Sequence, residues 1–300
     1  MQSKMKQHSL ILACLACLLL AMQSCSQTDA PEPVATGAKP MRFVMDYPSA
    51  TRVTDTGFEQ GDSVGVFVAC DTLPLEPGGN VVNNEALSFD GSNWTARHTL
   101  YWDDGTYNAY AYYPYRRQVS NTDNLPDTVA LDQSTSATGA TPGGYEASDL
   151  LWARTTDIKA TADPVHLQFS HIMSKVTIRL IKGEDYEGDL PTDAVVYIHN
   201  TVPAATVDLS AGVVTKTPKG TRATIKARQE SGTIYSAIIV PQRLATSVPL
   251  VEVVVKGVSY MYESKFVFKP GTNHLINLIL SGNPEQAKIE IGGEIEGWNQ

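Results

Sequence analysis

Hydrophobic and polar residues alternate in short runs along most of the chain after residue 40. These runs are rich in Val, Ile, Thr, Tyr and Phe, which fit the pleated, half-buried surface of a β-strand. The clearest runs are MRFVMDY (41–47), SVGVFVAC (63–70), TYNAYAYY (106–113), VHLQFS (165–170), KVTIRLI (175–181), AVVYIHN (194–200), TIYSAIIV (233–240), PLVEVVVKG (249–257) and HLINLIL (274–280). Clusters of Gly, Pro, Asp and Asn separate them and favour tight turns. The pattern predicts an all-β protein built from β-sandwiches.

A faint internal duplication predicts two sandwiches of similar design. In each copy a Gly-Thr pair is followed by a strand-like run that ends at a proline, and the copies are residues 105–114 and 232–241. We therefore predict an N-terminal β-sandwich over residues 41–162 and a C-terminal β-sandwich over residues 163–300. A chain of this length is sufficient for two domains of ordinary size.

The N-terminus combines a basic start with a short apolar run. Lys4 and Lys6 precede residues 9–22, which carry no charge. A basic segment, an apolar segment and a small residue before the cut are typical of a secretory signal peptide, which we predict over residues 1–24. The apolar run is too short for a helix to cross a membrane, which takes about 20 residues.

Cys25 is the predicted lipidation site. It follows the small residue Ser24, and its thiol can carry a thioether-linked diacylglycerol, although Met22 stands where a Leu is usually expected. A cleaved, secreted protein without lipid is the alternative. Residues 25–40 are rich in Pro, Ala, Ser and Thr and lack apolar periodicity, which predicts a flexible tether.

Charge and cysteine content narrow the function further. The chain has 23 basic and 32 acidic residues, for a net charge of −9. Such an acidic chain repels phosphate backbones, so nucleic acid is not a predicted partner. Of the four cysteines, only Cys70 lies beyond the signal peptide and the lipidation site. No intrachain disulfide is then available, and Cys70 is predicted to be a buried, inert thiol.

No arrangement of residues in the sequence predicts catalysis. Beyond the predicted signal peptide, HExxH and CxxC motifs, a phosphate loop and a carboxylate-rich calcium loop are missing. His166 and His171 are five residues apart, so along a strand they point to opposite faces and cannot share a metal ion. His171 is predicted to be a core or capping residue. We predict no enzymatic activity, no metal and no cofactor; a glycosidase with two carboxylates facing one cleft is the enzymatic alternative.

Tyrosine and tryptophan residues are dense between residues 94 and 115. Aromatic faces can stack against sugars, but Tyr and Trp are also ordinary sheet residues, and packing within the protein is the preferred interpretation. The group comprises Trp94, Tyr101, Trp102, Tyr107, Tyr110, Tyr112, Tyr113 and Tyr115.

An ordered set of segments across the chain resembles the fimbrillin (type V pilin) family of Bacteroidales surface lipoproteins, in particular its Mfa-like branch. The segments are TRVTDTGFEQGDSVGVFV (51–68), YWDDGTYNAYAYYPY (101–115), DLLWA (149–153), LQFSHIMSKVTI (167–178), IIVPQ (238–242), FKPGTNHLINLIL (268–280) and IEGW (295–298). The resemblance implies two tandem transthyretin-like, Greek-key β-sandwiches. It also implies export as an outer-membrane lipoprotein and cleavage by a trypsin-like surface protease. The groove left by the first strand is then filled by the C-terminal strand of another subunit.

The first alternating run has the properties of a removable strand. Residues 41–47 place Met41, Phe43, Met45 and Tyr47 on one face, and Arg52 follows in the polar stretch SATRVT. We predict cleavage between Arg52 and Val53. Arg42 is the weaker candidate because cleavage there leaves most of the strand in place. The alternative is that Arg52 is an ordinary exposed arginine.

The C-terminus has the alternation expected of a donor strand. In KIEIGGEIEGW (288–298), Ile289 and Ile291 lie on one face, Gly292 and Gly293 permit a bulge, and Ile295 resumes the apolar contact. Strand addition satisfies an open sheet edge and fills pockets with alternate side chains. The alternative is a last strand that pairs within its own domain.

These features predict a structural subunit of an extracellular fimbrium that serves cell adhesion. The predicted partners are other pilin subunits, the trypsin-like maturation protease, the outer membrane through the lipid, and surface glycans or proteins of a host or of other bacteria. The alternative is a surface lipoprotein that does not polymerise, such as a pilus tip or a glycan-binding adhesin.

Overall fold

The computed structural model describes residues 38–48, 57–138, 141–283 and 288–298, and for residues 288–297 it describes the backbone. Cys25, Arg52 and Val53 lie outside this part of the chain. Strands dominate the described residues, and the single helix among them, α1 (Gly144–Ser148), has five residues. This confirms the predicted all-β fold. None of the described helices is long and apolar enough to span a membrane.

The described residues up to His171 contain eleven strands. In chain order they are β1 (Lys39–Pro40), β2 (Phe43–Asp46), β3 (Ser63–Cys70), β4 (Val82–Phe89), β5 (Trp94–Ala96), β6 (Tyr101–Trp102), β7 (Thr106–Tyr113), β8 (Leu125–Thr128), β9 (Leu151–Lys159), β10 (Val165–Gln168) and β11 (Ser170–His171).

The described residues from Ser174 onwards also contain eleven strands. They are β12 (Ser174–Lys182), β13 (Val195–Thr201), β14 (Ala204–Asp208), β15 (Val213–Lys216), β16 (Ala223–Lys226), β17 (Arg228–Ser231), β18 (Ile234–Ile239), β19 (Gln242–Val255), β20 (Val258–Phe268), β21 (Thr272–Leu280) and β22 (Lys288–Gly297). Each of the nine alternating runs of the sequence overlaps one of these strands.

The first large sheet has six antiparallel strands in the order β11-β9-β7-β3-β4-β5. Its central strands are buried on both faces, because each face packs against a different core. Val64, Val66 and Val68 of β3 belong to one core, whereas Phe67 and Ala69 of the same strand belong to the other. We call these the N-terminal core and the main core. Cys70, the last residue of β3, is partly exposed, so its predicted burial was wrong. It packs against the N-terminal core from the end of the strand.

The N-terminal core is closed by two small strand pairs on the other side. β2 pairs in parallel with β10, and β1 pairs with β6. Hydrophobic residues from β2 and β10 therefore cover one face of the six-stranded sheet. In this way a strand from the start of the described chain forms one wall of the N-terminal core.

The main core lies largely between two further sheets. One sheet has the order β17-β18-β12-β21-β22 and the facing sheet has the order β16-β13-β19-β20. Alternate residues of both sheets are buried, such as Val176 and Ile178 of β12 and Val251 and Val253 of β19. This arrangement follows from period-2 alternation, because each strand contributes every second side chain to the space between the sheets.

Hydrogen bonding continues across the midpoint of the chain. β8, at residues 125–128, pairs with β14 in a three-stranded sheet, and β10, at residues 165–168, pairs with β2. The described residues from Lys39 onwards form one compact unit. The division into sandwiches at residues 162 and 163 stays a prediction.

Candidate assembly site

The first strand is built into the N-terminal core through one face. Met41, Phe43 and Met45 are buried, whereas Arg42 is exposed and Val44 is partly exposed. This confirms the predicted alternation. The ring of Phe43 lies 6.3 Å from that of Trp102, and all three buried side chains belong to the N-terminal core.

Among the described residues, β2 has one strand partner. Its register with β10 runs from Phe43 opposite Val165 to Asp46 opposite Gln168. The backbone N–H groups of Val165 and Phe169 donate to the carbonyl oxygens of Arg42 and Asp46, both at 2.8 Å. The strand is therefore held by one short ladder and by hydrophobic burial.

A side-chain hydrogen bond adds to this ladder on the solvent side. Nδ1 of His166 lies 2.8 Å from Oδ2 of Asp46, and both side chains are well exposed. Exposed pairs contribute little because water and salt screen them. The attachment of residues 41–46 therefore depends on the three buried side chains much more than on this pair.

The end of β2 leads into a cluster of aromatic rings. Phe58, at the point where the described chain resumes, contacts Tyr47 with ring centroids 5.0 Å apart, Phe169 at 5.4 Å and Tyr113 at 5.6 Å. A groove of 750 Å³ borders this cluster and is also lined by Glu146. The described residues on both sides of the segment that carries Arg52 thus meet at one place. Arg42 directly precedes β2, so cleavage there would leave the whole strand attached.

The C-terminal strand lies at an edge of its own sheet. β22 pairs antiparallel with β21, and Ile289, Ile291 and Ile295 are opposite Leu278, Ile276 and His274. Between Ile291 and Ile295 the register shifts, so residues 292–294 stand opposite a single residue of β21. This confirms the bulge predicted at the two glycines. In the single chain β22 pairs with β21 of its own sheet. Its donation to another subunit stays a prediction.

Trp298 anchors the end of that strand. Its side chain is 3% exposed, its ring is stacked on the imidazole of His171 with centroids 3.8 Å apart and an angle of 8°, and its backbone N–H donates to Gly271 at 3.2 Å. Nζ of Lys175 lies 5.8 Å from the indole ring, within range of a cation–π interaction. The last described residue is thus fixed on several sides.

His171 occupies the centre of this contact. It is 2% exposed, as predicted for a core residue, and its Nδ1 lies 2.9 Å from Oδ1 of Asp149. The ring of Tyr47 approaches it edge-on at 6.0 Å. A histidine and an aspartate at this distance occur in catalytic triads. Here, however, the imidazole is covered by Trp298 and shielded from solvent, which favours a positioning role.

Sequence reasoning did not bring these residues together. Asp149, His171 and Trp298 come from the separate segments DLLWA, LQFSHIMSKVTI and IEGW. Each segment is recognisable in the sequence, but a strand pattern does not show which strand ends meet in space. A tryptophan placed just after an alternating strand was the available signal.

The dense aromatic group serves mainly for packing. Trp102, Tyr107, Tyr110 and Tyr112 are at most 5% exposed, which confirms the preferred interpretation for these four. Burial raises the pKa of Tyr112 to about 12, and its hydroxyl donates to Oδ1 of Asn84 at 2.8 Å. Trp94, Tyr113 and Tyr115 are partly exposed. In the described part of the chain, no group of three or more His, Cys, Asp or Glu residues could hold a metal ion.

Comparisons with known proteins agree with this architecture. A curated Bacteroides ovatus protein, provisionally named a fimbrium tip subunit, is 31% identical over 196 residues; the match covers 59% of this chain and 36% of that protein. The chain thus spans about a third of that relative's length.

Two crystal structures of provisionally named cell adhesion proteins have the same fold. The one from Bacteroides ovatus has a TM-score of 0.68 at 18% identity and covers 87% of this chain and 98% of its own. The one from Bacteroides uniformis has a TM-score of 0.67 at 20% identity, and the match covers 89% of this chain and 100% of that protein's chain.

The family assignment rests on the longest match. Residues 51–298 match the sequence profile of a family described as fimbrillin-like. That match includes the six-, five- and four-stranded sheets and the residues around His171 and Trp298. The chain therefore belongs to the fimbrillin-like family.

Proposed function

We propose that this chain is a subunit of an extracellular fimbrium, exported as an outer-membrane lipoprotein through Cys25, and that it assembles by protease-triggered strand exchange in the service of cell adhesion. Membership of the fimbrillin-like family supports the fimbrial role. The observation that carries the mechanism is the attachment of β2. This strand has one described strand partner, and together with Met41 just before it contributes three buried side chains. The predicted cleavage site lies a few residues downstream, between Arg52 and Val53.

The free energy of apolar burial explains why the groove left by removal of β2 would not stay empty. Burying a large apolar side chain contributes about 1.5–3 kcal/mol, so Met41, Phe43 and Met45 together contribute roughly 5–9 kcal/mol. That is comparable to the whole net stability of a domain, about 5–15 kcal/mol. A chain without β2 exposes this apolar surface and the unpaired edge of β10, and a new strand that fits there regains the lost free energy.

Cleavage changes the competition for the groove. Before cleavage, β2 is part of the same chain and binds at a high effective concentration. Once the chain is cut between Arg52 and Val53, β2 is part of a separate peptide and leaves with the lipidated segment. The strand of another subunit can then replace it, and Cys25 anchors the precursor only until assembly.

We propose β22 as the donor strand, with Ile289, Ile291 and Ile295 as its apolar contacts. It lies at the edge of its sheet, so it can leave without separating two other strands. The bulge between Ile291 and Ile295 interrupts the hydrogen-bond ladder between β22 and β21, so the pairing within the chain is less regular there. The predicted partners are other fimbrial subunits and a trypsin-like protease; no enzymatic activity of the chain itself is part of the proposal.

Limited trypsin digestion tests this mechanism. The protein without its signal peptide and with a Cys25→Ser substitution should give a stable fragment that begins at Val53 and forms ladders resistant to mild detergent. Arg52→Gln should abolish both results, and the matched control Arg42→Gln should abolish neither. Ile291→Asp should give a cleaved chain that no longer forms ladders by itself. A fully cleaved, folded wild-type chain that stays monomeric would refute strand exchange.

A second function is a tip subunit or adhesin that keeps its last strand. The provisional name of the Bacteroides ovatus relative favours a tip role. The buried position of Trp298 favours a strand that stays in place. Host or bacterial glycans or proteins would then be the ligands, and the partly exposed rings of Phe58, Tyr113 and Tyr115 beside the 750 Å³ groove offer one surface for them. Deletion of residues 287–300 separates the two functions: it unfolds a tip subunit, whereas a shaft subunit stays folded but cannot assemble.

A further inference from the structure

We propose that Tyr47, His171 and Trp298 form a latch that keeps β22 in its own sheet until the first strand is removed. The latch assigns His171 the role of a positioning residue that links the two strands. Its biological use rests on the proposed strand exchange, but the contact itself exists in the uncleaved single chain and can be tested there.

The positions of the two aromatic residues carry the inference. Tyr47 directly follows Asp46, the last residue of β2, and Trp298 directly follows Gly297, the last residue of β22. Both contact the same imidazole: Tyr47 edge-on with centroids 6.0 Å apart, and Trp298 stacked at 3.8 Å. The end of the strand predicted to leave and the end of the strand predicted to be donated thus share His171.

The imidazole is well placed to transmit a change. It belongs to β11, which pairs with β9 over two residue pairs, and Asp149 holds its Nδ1 at 2.9 Å. Cleavage after Arg52 removes Tyr47 together with β2 and exposes one side of the ring. The imidazole then has room to turn and water can reach it, which weakens the stack that holds Trp298.

Release of Trp298 bears directly on β22. An edge strand opens from its ends, and this end is fixed by a buried indole, by the N–H bond to Gly271 and by Lys175 near the ring. The other connection is a single ladder with β21, interrupted by the bulge. An aromatic contact of this kind corresponds to a three- to tenfold change in an opening equilibrium. The latch therefore prevents donation of β22 before cleavage and permits it afterwards.

Hydrogen exchange of the uncleaved chain, followed by mass spectrometry of the peptide covering residues 288–298, tests the latch. Tyr47→Ala should speed exchange in this peptide three- to tenfold. Met41→Ala, at the other end of the same buried face, should leave it unchanged relative to peptides of β21. Trp298→Ala should speed it at least as much as Tyr47→Ala, and Trp298→Phe should restore slow exchange because it keeps an aromatic ring on His171.

The double variant decides whether the two rings act together. In a Trp298→Ala background, Tyr47→Ala should have no further effect on residues 288–298. Unchanged exchange in Tyr47→Ala, or an equal additional effect in the Trp298→Ala background, would overturn the latch. Neither result concerns cleavage or assembly. If these couplings hold but cleaved chains fail to polymerise, strand exchange fails and the latch stands.

Discussion

The side-chain amide of Gln133 hydrogen-bonds to both backbone polar groups of Ile238, 105 residues further along the chain. Oε1 accepts from the Ile238 N–H at 2.7 Å, and Nε2 donates to the Ile238 carbonyl at 2.8 Å. β17 pairs with β18 only as far as Ser236, so the glutamine takes the place of a neighbouring strand at Ile238. Its side chain is fully buried. One residue of the first half thereby completes a sheet of the second half.

Replacing Gln133 with Ala should destabilise the protein strongly. The substitution leaves a buried N–H and a buried C=O without partners, and each such group costs about 1–3 kcal/mol. We expect the free energy of unfolding, measured by urea denaturation, to fall by about 2–5 kcal/mol. Gln118→Ala, at an exposed position, is the matched control and should change it by less than about 0.5 kcal/mol. Equal effects of the two substitutions would contradict the role of Gln133.

The buried face of β2 should dominate its attachment. Phe43→Ala removes a ring that is 7% exposed and contacts Trp102, and truncations of this kind cost about 3–5 kcal/mol. Val44→Ala, one residue along on the partly exposed face, should cost about 1 kcal/mol. Thermal or urea unfolding of the uncleaved chain measures both. A larger effect at Val44 would mean that the strand faces the other way.

His274 should make stability depend on pH. Burial, together with the nearby Lys269 ammonium, lowers the pKa of His274 to about 4 from 6.5, and its Nε2 accepts from the Lys269 N–H at 3.0 Å. Between these two pH values the unfolded chain binds a proton that the native state does not. The contribution of the neutral His274 to the free energy of unfolding is therefore complete above pH 6.5. It decreases as the pH falls towards 4.

The comparison with His274→Gln isolates this contribution. Between pH 7.5 and pH 4.5 the wild-type free energy of unfolding should fall by roughly 1–3 kcal/mol more than that of the variant. Urea denaturation at several pH values provides the profile. Parallel profiles for the two proteins would assign the acid sensitivity to other groups.

Gly212 should not tolerate a side chain. It has φ of +66°, and an added Cβ would lie 2.4 Å from the indole ring of Trp152. Trp152 cannot move away easily, because its Nε1 donates to the Leu209 carbonyl at 2.7 Å. Gly212→Ala should therefore lower the free energy of unfolding by about 2–5 kcal/mol, from backbone strain and overpacking together.

Gly188 provides the control for that substitution. Its φ of +80° is also positive, but nothing lies within 4 Å of an added Cβ. Gly188→Ala should thus show the backbone strain alone, about 1–2 kcal/mol. The difference between the two variants in urea denaturation measures the contact with Trp152, and no difference would exclude a packing effect there.

The strand positions could be predicted well because they depend on local pattern. SVGVFVAC and TYNAYAYY match β3 and β7 residue for residue. What the pattern did not show is that both faces of these strands are buried. Small and polar residues of TYNAYAYY, such as Asn108, look solvent-facing, yet Asn108 is 8% exposed because a second core covers that face. Alternation indicates a strand but does not indicate what covers each side.

The candidate site likewise combines features that follow from local sequence with contacts that only the tertiary structure shows. The apolar face of residues 41–47 and the bulge near Gly292 follow from spacing and glycine content, and both are present in the structure. The meeting of Tyr47, His171 and Trp298 had no local signal, because these residues are 124 and 127 positions apart. Cys25 and Arg52 remain sequence predictions, since they lie outside the described residues.

By itself, the sequence determined that this protein is all-β, where most of its strands lie and which of their faces are apolar. These properties follow from side-chain periodicity over a few residues. Only the tertiary structure decided that β2 pairs with β10, that Gln133 completes the edge of β18, and that the ends of the first and last strands share His171. Such contacts depend on how the sheets stack, which is set by the burial of the whole chain and not by any single segment.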